Sequence, residues 1–235
     1  IGTVPTPEPY QKRTAHGTVL AEDGRKMSKS FGNVVNPDDI VSRYGADTLR
    51  VYEMFMGPFD QAIDWSNSGV KGVNRFLHRL WELALKCTGQ DKSSKEVQRE
   101  AHKLNRKVSE DIDEMKFNTA VAAFMEFLNF CFDHQKEVGT DVLRRTLTLL
   151  APLAPHITEE LWRHLGGEGS IHHQSWPKHD PGLIKEEKIT FILQVNGKVR
   201  DRIRMDRGVS KEEAKDISLG REKIQKRVKG KEIKK

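Results

Sequence analysis

Two lysines three residues apart, Lys26 and Lys29, lie in the string Gly24-Arg25-Lys26-Met27-Ser28-Lys29-Ser30-Phe31-Gly32-Asn33. Glycine on either side permits backbone conformations closed to other residues, so the string reads as a mobile loop outside any helix or strand. A lysine is a point charge on a flexible stem, suited to following a phosphate whose geometry changes during a reaction. Ser28 and Ser30 can hydrogen-bond a phosphate or shape the loop, and Met27 is expected to anchor it by packing. On residue types alone, lysines at this spacing in a glycine-flanked loop are ordinarily an exposed basic turn. A second basic row, Lys198, Arg200, Arg202 and Arg204, holds alternate positions of a strand pattern and is expected to share one face. Four cations in a row cannot face a core, so this row is the candidate contact for a polyanion.

The remaining polar groups suggest structure before chemistry. Cys87 and Cys131 lie inside apolar helical patterns without a second Cys or His at metal spacing, as buried thiols in a reducing cytoplasm would. His156, Glu159 and Glu160 fit a capped helix start better than a ligand set, and no metal site is expected in this chain. Of the 235 residues 36% are hydrophobic and 31% charged, and no apolar run approaches the roughly 18 residues of a membrane span. The opening Ile1-Gly2-Thr3-Val4-Pro5 lacks the pattern of a secretory leader, so a cytoplasmic location and no membrane contact are expected. The net charge of +6 is unevenly placed: residues 183–235 hold 17 Lys/Arg against 9 Asp/Glu, and the remainder is slightly acidic. Such asymmetry points to a polyanion at the tail, although a Lys/Glu-rich solvated surface gives the same count.

The elements that must position these groups are mostly helical. Thr18 to Ala21 is a short strand leading into the loop. Asn36-Pro37-Asp38-Asp39 starts a helix, with Asn36 as cap and Pro37 at the first helical position. Gly45 interrupts it, and a second helix runs from about Ala46 to Met56 until Gly57-Pro58. Asp47 and Arg50, three apart, can pair on the surface or support the loop. Gln61 to Ser68 reads as a connector.

Apolar residues at steps of three and four then predict four helices: Val70 to Ala84, Val97 to Met115, Val121 to Phe132 and Leu143 to Leu150. Asn118 and Thr140 are the expected caps of the third and fourth. Pro152 and Pro155 break the fourth, and a fifth segment runs to Leu165. Short polar turns between amphipathic helices imply an antiparallel bundle. From Ile189 the pattern changes to a strand, the hairpin signal Asn196-Gly197 and a returning strand. One helix from Ser210 to Val228, opened by the Ser210-x-x-Glu213 capping box, completes a small α/β domain.

Lys26-Met27-Ser28-Lys29-Ser30 is identical to the second signature loop of class I aminoacyl-tRNA synthetases. Val19-Leu20-Ala21-Glu22-Asp23 before it and Asn33-Val34-Val35-Asn36-Pro37 after it match too, as does Tyr44-Gly45-Ala46-Asp47-Thr48-Leu49-Arg50. Ala154-Pro155-His156 with Glu159-Glu160 and Trp162 is similar to the bundle of the leucyl, isoleucyl and valyl enzymes. Gln194-Val195-Asn196-Gly197-Lys198-Val199-Arg200 resembles the appended C-terminal domain of bacterial-type leucyl enzymes, and that string favours the leucyl branch.

The resemblance, to the C-terminal part or a β subunit of such an enzyme, implies a mostly α fold in four parts. Residues 1–68 would end the catalytic domain with the signature loop and stem-contact helices. Residues 69–168 would be the anticodon-binding bundle, 169–187 a linker and 188–235 a small α/β domain for tRNA. It further implies ATP with Mg2+ as substrate, with Lys29 and Lys26 on the leaving pyrophosphate and residues 26–30 around the nucleotide. The expected partners are tRNA-Leu and the N-terminal catalytic and editing portion of the enzyme. The family's His-Ile-Gly-His signature, amino-acid pocket and editing domain are absent from these residues, so the chain alone is expected to be inactive. The family closes this small domain with an apolar strand after the position of Lys235, so the domain is expected to be incomplete, either lacking an edge or continuing past these residues. Two alternatives stay open: the matching part of a valyl or isoleucyl enzyme, and a non-catalytic RNA-binding helical protein with a vestigial loop.

Overall fold

Asn36 and Pro37 start the first helix as predicted. The Asn36 side chain accepts the Asp38 N–H at 3.2 Å, and proline at the first helical position forgoes an N–H that would lack a partner there. This helix, α1 (Pro37–Tyr44), turns at Gly45 into α2 (Ala46–Phe55). Ahead of them β1 (Val19–Leu20) pairs in parallel with β2 (Ile63–Asp64), where the sequence predicts only a connector. Two residues are too few to show alternation. The computed structural model describes residues 10, 12–87, 91–184, 188–206 and 208–228, and the chain divides into two units, 1–180 and 181–235.

In the first unit α3 (Asn67–Lys86), α4 (Lys95–Asp113), α5 (Phe117–Asp133), α6 (Thr140–Leu150) and α7 (Pro155–His164) form the bundle. The predicted stripes turn inward: Val70, Val73, Val97, Val108 and Val121 have no exposed surface, and Phe124, Leu143 and Leu147 have at most 2%. Each such side chain contributes roughly 1.5–3 kcal/mol by leaving water. Cys87 and Cys131 are both buried, and burial, with Cys87 nearby, pushes the Cys131 thiol up to about 12. A thiol held protonated in this way is an inert core group.

Two predicted caps are displaced. Met115 takes a left-handed φ of 60° and Lys116 N–H closes the turn on Asp111 O at 2.7 Å, so α5 begins at Phe117 and Asn118 lies inside it. Gly139 precedes α6 and donates its N–H to Ser93 Oγ at 2.8 Å, which leaves Thr140 as the first helical residue. After α7, Ile171 is 2% exposed and anchors a 3-10 turn at Ile171–His173. None of the helices among the described residues is long and apolar enough to cross a membrane.

The second unit holds α8 (Pro181–Ile184), the antiparallel hairpin β3 (Lys188–Val195) and β4 (Lys198–Asp206), and two helices. Asn196 and Gly197 take φ values of 52° and 74°, the pair of left-handed residues that a tight hairpin turn requires. Ser210 Oγ accepts the Glu213 N–H at 3.1 Å, as the capping box predicts. The single helix expected beyond it is two, α9 (Lys211–Leu219) and α10 (Glu222–Val228), parted at Gly220-Arg221. The break aims Arg221 at Asp201 of β4, 3.0 Å away, and Met205 and Ile224 are buried. The expected closing strand lies outside the described residues.

Candidate functional site

The lysine loop is shaped, not merely exposed. It opens where Gly24, at φ 72°, lets its N–H reach Ala21 O at 2.9 Å, and Ala21 N–H returns to Arg25 O at 2.9 Å. Leu20 then bridges to Lys26. Asn33 closes the loop from its far end: its Oδ1 accepts the Ser28 N–H at 2.8 Å and its Nδ2 donates to Lys26 O at 3.4 Å. Between these clamps Ser28 caps a 3-10 turn at Lys29–Phe31 that ends on Gly32 at φ 63°. The turn departs from the expectation of a loop free of helix. Its cause is local, since Ser28 Oγ accepts the Ser30 N–H at 3.3 Å and the two hydroxyls share a hydrogen bond at 2.8 Å. The serines therefore shape the loop through each other, and Met27 packs against the core as expected.

The three cations of the loop differ in their surroundings. Arg25 binds Asp23 at 2.6 Å and lies over the Phe31 ring, 5.2 Å from its centre. That guanidinium holds the Asp23 carboxyl below the usual carboxylate range. Lys26 and Lys29 are exposed, and neither ammonium has an ion-pair or hydrogen-bond partner among the described residues. Two free ammonium groups on a closed loop can meet an arriving polyphosphate without first giving up a carboxylate.

The loop is tied to the helices behind it. Glu22 Oε1 accepts the Asn67 N–H at the start of α3, at 2.9 Å. Asp47 and Arg50 do not pair with each other. Asp47, 7% exposed, accepts the N–H groups of His156 and Ile157 at 3.3 and 2.7 Å, so it caps α7 across more than a hundred residues of sequence. Arg50 donates to Leu153 O at 3.3 Å and to Pro152 O at 2.8 Å. His156 and Glu159 thus belong to a capped helix start, and Glu159 accepts from Ser170 and the Ile171 N–H.

The basic row on β4 departs from the single face expected of it. A bulge between Leu193 and Gln194 leaves Arg200 unpaired in the register: Val199 faces Gln194, whereas Asp201 faces Leu193. One extra residue reverses the alternation, so Lys198, opposite Val195, lies on the face of Asp201, and Arg202, opposite Ile192, lies on the other. Lys198 and Arg202 are exposed and Arg200 is half-buried. Arg204 pairs through its backbone with Thr190, and its side chain lies outside the described residues. The unforeseen Asp201 is buried, and the Arg221 guanidinium, with Lys223 farther off, lowers its pKa. The outer face therefore keeps Arg202 beside Ile192 and Val199, which are 55% and 51% exposed.

The chain thus carries a lysine loop tied to a helical bundle, with a basic hairpin after it in sequence. The family model for the anticodon-binding domain of tRNA ligase matches residues 94–215, and that for tRNA synthetases class I (I, L, M and V) matches residues 3–66. The chain belongs to this family of tRNA ligases. Its relatives include the leucine–tRNA ligase of Alkaliphilus oremlandii, 45% identical over 232 residues, which are 99% of this chain and 29% of that protein. The fold matches a LeuRS of Agrobacterium radiobacter in a ternary complex with tRNA and LeuAMS, with a TM-score of 0.79 and 28% identity. That match covers 97% of this chain and 32% of the other. The methionyl-tRNA synthetase of Mycobacterium tuberculosis shares the fold over 65% of this chain, covering 38% of its own, with a TM-score of 0.52 and 21% identity. The chain thus spans under a third of the leucine enzymes it matches.

Proposed function

We propose that this chain is the signature-loop and tRNA-binding portion of a leucyl-tRNA synthetase. Residues 1–68 end its catalytic domain, 69–168 form the anticodon-binding bundle, 169–187 link onward and 188–235 form the small tRNA-binding domain. The reaction is activation of leucine, in which the amino-acid carboxylate attacks the α-phosphate of ATP and pyrophosphate leaves with the bonding electrons. The magnesium that accompanies ATP belongs to the substrate. Lys29, with Lys26 beside it, meets the charge that gathers on the departing pyrophosphate, a contact stronger in the transition state than before it. Ser28, Ser30 and Met27 shape the loop backbone that carries those lysines. The observation that carries this reading is the contrast within the loop, where Arg25 is neutralised by Asp23 and both lysines are left free among the described residues.

The other half of the active site, with the amino-acid pocket, lies in an N-terminal catalytic and editing portion that this chain must meet. The bundle and the basic hairpin bind tRNA-Leu through shape and phosphates, so affinity falls steeply with added salt. The test is leucine-dependent ATP–pyrophosphate exchange after this chain is combined with such an N-terminal portion. Exchange should require both, and Lys29→Ala should slow it by about 2–4 kcal/mol, the scale of one lost preorganised charge contact. Exchange by the N-terminal portion alone, or an undiminished rate in the variant, would reject the reading.

A further inference from the structure

Residues 176–180 form neither helix nor strand, and such segments are ordinarily the loosest part of a surface. Here side chains from two helices hold them. Trp176 donates its indole N–H to Ser109 Oγ of α4 at 2.8 Å, and Ser109 in turn donates to Asn105 O at 2.8 Å. Asn105, with no exposed surface, donates its Nδ2–H to Pro177 O at 3.0 Å. Arg145 of α6 donates to Lys178 O at 2.9 Å. One turn before Asn105, His102 accepts the Asp180 N–H on Nδ1 at 2.8 Å and is itself 9% exposed.

Asn105 and His102 occupy positions on α4 where an apolar side chain would bury at no polar cost. The segment supplies the partner that the Asn105 Nδ2 and the His102 Nδ1 need once buried there. Three of the four anchors grip backbone groups, which fixes the path of the chain whatever its side chains are. The grip ends at Asp180, and the second unit, which carries the basic hairpin, begins at Pro181.

We propose that residues 176–180 are an anchored strap that fixes the point from which the C-terminal unit departs, and that His102, Asn105 and Arg145 are positioning residues for RNA binding by that unit. The inference rests on the tRNA reading above. Two RNA contacts carried on one chain reinforce each other through their effective concentration, which falls as the tether between them lengthens. A released strap adds its residues to that tether and weakens binding although neither RNA-contacting surface has changed.

The experiment measures the dissociation constant of the 235-residue chain for a tRNA-Leu transcript at fixed salt, with a thermal melt on every variant. Asn105→Leu removes one anchor without changing charge, and His102→Ala removes another. His102→Asn retains an acceptor near the position of Nδ1. The two anchor-removing variants should weaken binding about twofold, the −3/2-power fall in effective concentration for a tether lengthened from roughly 7 to roughly 12 residues, and His102→Asn should bind like the wild type. Combined with the triple variant Lys198→Ala, Arg200→Ala and Arg202→Ala, the anchor variants should add little further loss. Unchanged affinity in both anchor variants, failure of His102→Asn to restore binding, or fully additive losses would overturn the strap. A wild-type chain without affinity for tRNA-Leu would overturn the tRNA reading, and the strap with it.

Discussion

Replacing Asp47 by alanine tests how the loop-bearing segment is joined to the bundle. Ala154, the residue before α7, offers no side-chain cap, so the first N–H groups of that helix depend on a carboxylate from α2. The 2.7 Å bond from Ile157 is well formed and the 3.3 Å bond from His156 is long. A capping bond is worth about 1 kcal/mol, a carboxylate at a helix N-terminus adds about 0.3–1 kcal/mol, and the long bond counts for less than the short one. The sum is about 1.5–2.5 kcal/mol for Asp47→Ala, and for a chain of this size that lowers the melting temperature by roughly 3–10 °C. Asp47→Asn keeps an acceptor but not the charge, so it should lose only the charge contribution of about 0.3–1 kcal/mol. Thermal melts followed by circular dichroism should rank wild type, asparagine and alanine in that order. An alanine variant within about 0.5 kcal/mol of wild type, the range of an ordinary surface change, would refute the reasoning.

Asn33→Ala should open the lysine loop by removing the Ser28 and Lys26 bonds, and slow leucine-dependent exchange in the reconstituted enzyme about tenfold, or about 1.4 kcal/mol; an unchanged rate would show that the clamp is dispensable. Burial first, then Arg145 and His179, lower the pKa of His102 from its ordinary 6.5 against the opposing pull of Asp180. The stability this neutral imidazole contributes is fully present above pH 6.5 and is lost as pH falls below 6.5 through the lowered folded-state value, because the unfolded chain then binds the extra proton. Melts at descending pH should therefore show a loss in the wild type that is smaller in His102→Asn. In the bundle, Phe124→Ala should cost about 3–5 kcal/mol, read as a lower denaturation midpoint; a loss under 1 kcal/mol would mean that the site collapses around the gap.

The bundle was legible because its stripes repeat at the helical period and need no knowledge of their partners, as Val70, Val97 and Val121 show. The loop's string was equally plain, but the bonds that shape it were less so. Asn33 lies seven residues from Lys26, and nothing in the spacing says that its amide spans both sides of the loop. Asp47 was read as a neighbour of Arg50 because a sequence shows contacts along a helix and hides those across it, and its partners are 109 and 110 residues away. The hairpin turn was announced by Asn196-Gly197, whereas the bulge beside it was not. A bulge has no residue signature here, yet it moves Lys198 off the face of Arg202. Asn118 and Thr140 failed as caps because the preceding turns, at Met115 and Gly139, already satisfy the local backbone.

The most direct measurement is the single-turnover rate of leucyl-adenylate formation by the reconstituted enzyme with Lys26 and Lys29 both changed to alanine. A working phosphate clamp predicts a rate lower by about three orders of magnitude, on the order of 4 kcal/mol, with the apparent affinity for leucine unchanged. A rate within a few-fold of wild type would contradict it.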